Sequence, residues 1–263
     1  MTDLPGASAT QDASGQGPTP APRTTKVNAP VRQASIIAGV GLLMMSALAV
    51  FANFVVIEGL VTTGDADGTA ADIMGAEGTF RLGVVSWLLI AVLDVVIAWA
   101  LYLVLSPVSA RLSLLAAWFR LLYAGVLVVA VIELLGALHL MSGDGYLAVL
   151  DPGQRNAHAM LNLVAFKDIW DAGLILFGLH LAILGYLVLR SGYVPKILGV
   201  LLVIAGIGYV VDTSAAFLAL GLPFRISSFT FLGEFLLAIW LVIWGRRLTL
   251  QESPTTAWSR HDV

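Results

Sequence analysis

Two stretches decide how this chain folds: Phe80–Leu105, FRLGVVSWLLIAVLDVVIAWALYLVL, and Leu112–Met141, LSLLAAWFRLLYAGVLVVAVIELLGALHLM. The first carries Arg81 and Asp94 as its only charged residues, and the second only Arg120 and Glu133. An α-helix needs about 20 apolar residues to cross about 30 Å of hydrocarbon, so each stretch is long enough to span a bilayer. Between them lies Ser106-Pro107, a stop signal, because proline has no N–H to continue the helix ladder.

Working outward, four more apolar blocks appear: Ser35–Val61, Asp168–Leu189, Ile197–Leu220 and Phe229–Trp244. Their separators carry turn chemistry. Thr63-Gly64-Asp65 and Asp67-Gly68 open an acidic connection, read as a solvated turn. Ser142-Gly143-Asp144-Gly145 closes the third block, and Arg190–Pro195 makes a tight turn before the fifth. Asp151-Pro152 reads as an N-cap followed by proline in the first helical position, predicting a juxtamembrane helix from Pro152 to about Lys167. The expected fold class is an all-α integral membrane protein, a bundle of six transmembrane helices over residues 34–247.

Composition points the same way. Of 263 residues, 59% are hydrophobic and 12% charged, and the mean hydropathy is +0.91. Soluble domains have about twice that charge, so lipid is the expected partner of most of the surface. A net charge of -3 without a Lys/Arg run argues against nucleic acid. The absence of cysteine excludes disulfides, iron–sulfur ligation and thiolate zinc. No metal or cofactor is expected, and the chain is not expected to be an enzyme. Residues 1–33 are rich in small and polar residues and are expected to be a disordered cytoplasmic tail, with 248–263 as a second one. The first apolar block begins too late for a cleaved signal and fits a signal-anchor helix.

Orientation follows from the cationic residues. Arg23, Lys26, Arg32, Arg111, Arg190, Lys196, Arg246, Arg247 and Arg260 fall on one side. Arg81, Arg155, Lys167 and Arg225 fall on the other. Nine against four predicts both termini in the cytoplasm and a plasma-membrane location. Trp87, Trp99, Trp118, Trp170, Trp240 and Trp244 fall mainly toward span ends, as interfacial anchors do.

Ionisable residues inside a membrane need a partner or a purpose. Asp94 and Arg120 lie about 16 Å and about 14 Å from the same turn, so an ion pair between the two spans is open to them. Such a pair would fix packing or take part in a proton or substrate site. Glu58, Glu133, Asp171, Asp212 and Glu234, with Arg81 at the boundary, form an expected outer-third group. If they converge, a proton or cation site results; otherwise they snorkel or pair singly. Asp171 shares a helical stripe with Gly178, Ala182 and Gly185, which places it toward protein rather than lipid. His180 is near mid-membrane on the opposite face, expected as an interhelical hydrogen-bonding residue rather than a haem ligand.

The stretches Phe80–Gly83, Leu115–Leu121, Phe177–His180, Gly185–Leu187, Arg190–Gly199 and Gly208–Asp212 resemble a bacterial family of uncharacterised membrane proteins, domain of unknown function 4386. The likeness runs from about Ala34 to Gly245. It implies a multi-span membrane protein and brings no reaction, ligand or active site. The residues alone leave a small-solute or proton-coupled carrier, an accessory or sensory scaffold, and a lipid- or quinone-acting enzyme as readings.

Overall fold

The computed structural model describes residues 28–143, 145–147, 149–218 and 231–245. The expected C-terminal tail, most of the N-terminal one, and Arg225 lie outside the described residues. Regular structure among the described residues is entirely helical. Helix α1, Asn28–Val50, continues through a π-helical stretch, Phe51–Ile57, into a last turn, Glu58–Leu60. Then come α2, Ala66–Gly75; α3, Glu77–Ser142; α4, Pro152–Ser191; α5, Lys196–Phe217; and α6, Phe231–Trp244.

Four helices are long and apolar enough to cross a membrane: α1 with its extension, α3, α4 and α5. α6 is apolar but has only 14 residues, about 21 Å. α3 has 66 residues, about three bilayer thicknesses. It does not run straight. Ser109 has extended backbone angles (φ -162, ψ 105), dividing α3 into arms 77–108 and 110–142. Pro107 leaves the Leu103 carbonyl without its helical N–H, and the Ser106 hydroxyl donates to that carbonyl at 3.3 Å instead. The sequence marks this break correctly.

Other boundaries obey local chemistry. Gly143 and Gly192 end α3 and α4 at φ of 69° and 72°, a backbone region that favours glycine. Asp151 caps α4, accepting from Gln154 N–H while the Gln154 side chain returns to the Asp151 N–H. The juxtamembrane helix and the fourth expected span are one continuous rod. The acidic connection departs from expectation: Asp65 accepts from Gly68 N–H and caps α2, a helix rather than a bare turn. Asn156 on α4 donates to Asp67, tying α2 to the start of α4.

Glycines set the helix spacings. A Cβ on Gly178 would approach the Gly206 carbonyl to 2.7 Å, and one on Gly185 the Gly199 carbonyl to 2.6 Å. The Gly178, Ala182, Gly185 stripe is therefore the α4–α5 contact. Val56 fills the space beside Gly83, and Ile97 that beside Gly41, so α1 runs antiparallel to 77–108. Ser35 sits against Gly245, and Gly39 against Ala238 and Val242, so α1 and α6 are also antiparallel. The start of α1 and the end of α6 thus share one end of the bundle.

The surface is apolar and the interior holds the charge. Leu82, Val92, Trp118 and Ile132 are about 60% exposed, whereas Asp94 and Arg120 are fully enclosed. Such a surface suits hydrocarbon. Ser35, Ser46 and Ser86 each donate to the carbonyl four residues earlier, which satisfies their hydroxyls without water. Trp87 corrects the anchor reading: it is buried, edge-on to Phe166 and Trp170, because its face of arm 77–108 packs on α4. In the α4–α5 turn, Tyr193 donates to the Val104 carbonyl at 2.6 Å, and burial pushes its phenol pKa up.

Candidate functional site

The charged interior is built around one side chain. Arg120 lies on arm 110–142, about 16 Å past the break at Ser109. Its Nε donates to Asp94 Oδ1 at 2.8 Å, across from arm 77–108. One terminal nitrogen donates to Glu234 Oε1 at 3.2 Å, on α6, and lies 3.1 Å from His180 Nε2, on α4. The other terminal nitrogen points at Met45 Sδ, 3.5 Å away on α1. The guanidinium also lies 5.3 Å from the centre of the Phe177 ring, a cation–π contact. Five helical segments meet on a single cation.

The histidine's hydrogen is assigned by its neighbours. Its Nδ1 lies 2.8 Å from the Ala116 carbonyl, which can only accept. Nε2 faces a guanidinium, which can only donate. His180 is therefore a neutral ring with hydrogen on Nδ1. One oxygen remains unserved: Asp94 Oδ2 is buried and has no hydrogen-bond partner among the described residues.

The sequence reading grouped Glu234 with the outer acids; the structure puts it at the centre instead. The reason is how α6 sits against α1. Glu234 lies near the start of α6, but α6 has 14 residues, and Glu234 sits eleven residues before Gly245, about 16 Å from that end. That matches the height of Met45, ten residues after Ser35 on the antiparallel α1.

Three other members of that group, Glu58, Arg81 and Asp171, take partners within their own helices. Glu58 accepts from Asn53 at 2.9 Å, five residues away, the spacing a π-helix brings side by side. Arg81 pairs with Glu77 at 2.7 Å, and Asp171 with Lys167 at 2.5 Å. Glu133 and Asp212 are partly buried, on arm 110–142 and α5.

Met45, Tyr123 and the packing role of Phe177 carry no sequence signal pointing to this site. Phe177 lies three residues before His180, so helical spacing places both on neighbouring parts of one face. Beyond it, Tyr209 stands edge-on to Phe177 at 5.7 Å and brings α5 alongside. Tyr123 accepts from Trp170 Nε1 at 3.0 Å, and its ring centre lies 4.8 Å from that of Phe177. Met45 gives no sequence signal, since a methionine in an apolar helix is ordinary filling.

A narrow crevice, too tight to admit a water molecule, runs from His180 between Ala98, Leu101, Ser113, Ala116 and Leu184. The Ser113 hydroxyl beside it is buried and unpartnered among the described residues.

No solved structure matches the chain. It is 40% identical over 166 residues to an uncharacterized protein of Archaeoglobus fulgidus, a match covering 63% of this chain and 85% of that one. The model of the family described as Domain of unknown function (DUF4386) matches residues 37–245, and the chain belongs to that family.

Proposed function

We propose that the protein is a six-span carrier of the plasma membrane that couples movement of a small solute to a proton at the Asp94–Arg120–Glu234 cluster. The break at Ser109 supports counting α3 as two crossings, and α6 supplies the sixth. The shared end of α1 and α6 suits an even number of crossings, and the nine-to-four cationic bias puts that end in the cytoplasm. The observation that carries the coupling role is the imbalance of charge: two carboxyl groups bind one arginine. A cluster built only for packing would gain from matched charge, because burying an unpaired one is costly. Its position suits coupling too, since every helix that grips Arg120 can respond to its bonding.

Vesicles containing the protein and a trapped pH-sensitive dye test this. Amino acids, sugars and small organic acids are added in turn. At least one class should drive a change in internal pH with the wild type, and Asp94→Asn or Glu234→Gln should abolish it. No response to any class would reject the carrier reading.

A second reading, a non-catalytic scaffold, is favoured by one fact: the crevice beside His180 is narrower than a water molecule. In that case the cluster only fixes packing. Asp94→Asn combined with Arg120→Gln would then recover the folded yield that either change loses alone, and a partner protein would copurify.

A further inference from the structure

The cluster around Arg120 contains more acid than base, and no other charged group among the described residues is seen to restore the balance. Arg120 brings one positive charge; Asp94 and Glu234 bring two carboxyl groups. His180 is neutral by its hydrogen bonds. From the other elements the facing groups are Met45 on α1, Tyr123 on arm 110–142, Phe177 on α4 and, beyond it, Tyr209 on α5. None of these is charged. With both acids ionised the site would hold one uncompensated negative charge in apolar surroundings, a strongly unfavourable state. One proton makes it neutral.

The two acids are not equivalent. Asp94 is wholly enclosed and takes the shorter bond, 2.8 Å, from an Arg120 Nε that serves no other group. Glu234 takes a 3.2 Å bond from a nitrogen it shares with His180, and its side chain is 14% exposed. A proton can reach Glu234 with less rearrangement; leaving Asp94 ionised costs the desolvation of its unpartnered Oδ2, offset by its dedicated 2.8 Å bond from Arg120 Nε.

We infer that the cluster binds a single exchangeable proton carried by Glu234, while Asp94 stays ionised as the fixed counter-ion of Arg120. This deepens the carrier reading, and rests on it for the apolar setting, by naming the group that loads and unloads.

Dicyclohexylcarbodiimide tests the assignment on the purified full chain in detergent. It reacts with protonated carboxyl groups: the acid proton moves to a carbodiimide nitrogen, and the carboxyl oxygen bonds to the central carbon. An acyl shift to nitrogen then leaves a stable N-acylurea, which mass spectrometry locates. One label per chain is expected, on Glu234, decreasing as pH rises. Glu234→Gln should lose it. Asp94→Asn should lower it about tenfold, because Glu234 must then stay ionised to balance Arg120. Labelling at Asp94, no labelling, or undiminished labelling in Asp94→Asn would overturn the assignment. Infrared spectra of the wild type need no variant to fold: the carbonyl band of a protonated carboxylic acid should be present, and its absence overturns the inference as well. None of these readings requires a transported solute. A labelled Glu234 in a protein that moves nothing would sink the carrier reading alone, and solute-driven flux without labelling would sink this one alone.

Discussion

The centre and the outer ends of the bundle hold charge in opposite ways. Around Arg120, partners come from four other helical segments, up to 114 residues away, and the cation is fully enclosed. At the periphery, Glu77–Arg81 and Lys167–Asp171 pair four residues apart on one helix, and the cations there are more than half exposed. The peripheral pairs cost little to form, because the helix already holds both ends and solvent screens them. The central cluster can form only when the whole bundle assembles, so it reports on tertiary structure. Local pairing removes acids from any shared site; long-range pairing creates one.

Substitutions should separate the two classes sharply. Arg120→Met strands Asp94 and Glu234 in the core and should cost about 3–5 kcal/mol, the usual penalty for breaking a buried pair. Detergent unfolding curves would measure it, and a loss below 1 kcal/mol would mean the cluster is solvated. Gly206→Val is expected to rank next. A Cβ at Gly206 would lie 2.5 Å from the Gly178 carbonyl oxygen, so α4 and α5 must part, at about 1–3 kcal/mol by analogy with overpacked cores. A stable variant would show that the helices have another way to pack. Lys167→Ala should change stability least, by about 0.5 kcal/mol or less, and any effect should shrink as salt is raised. A salt-independent loss of several kcal/mol there would erase the distinction drawn above.

Much of the fold was legible because its causes are local. Hydropathy marked the apolar rods, and Pro107, Gly143, Gly192 and Asp151-Pro152 marked where they begin and end. Asp94 and Arg120 could be set at similar heights because a short turn joins their segments. The π-helical stretch was not legible, since nothing in Phe51–Ile57 distinguishes it from ordinary helix. Nor was α2, whose Asp65 cap resembled a plain turn until the helix behind it was visible. Glu234 was not legible for a different reason: its partner is set by how α6 sits against α1, which its own segment does not encode.

The sequence by itself determined that the chain forms apolar helices, where they break, and which charges cannot reach water along their own helix. Only the tertiary structure decided which of those charges meet. Rotation and height of one helix against another depend on contacts such as Gly39 with Ala238 and Gly178 with Gly206, which no single segment encodes. Those contacts set α6 and α4 so that Glu234 and His180 arrive at Arg120 together.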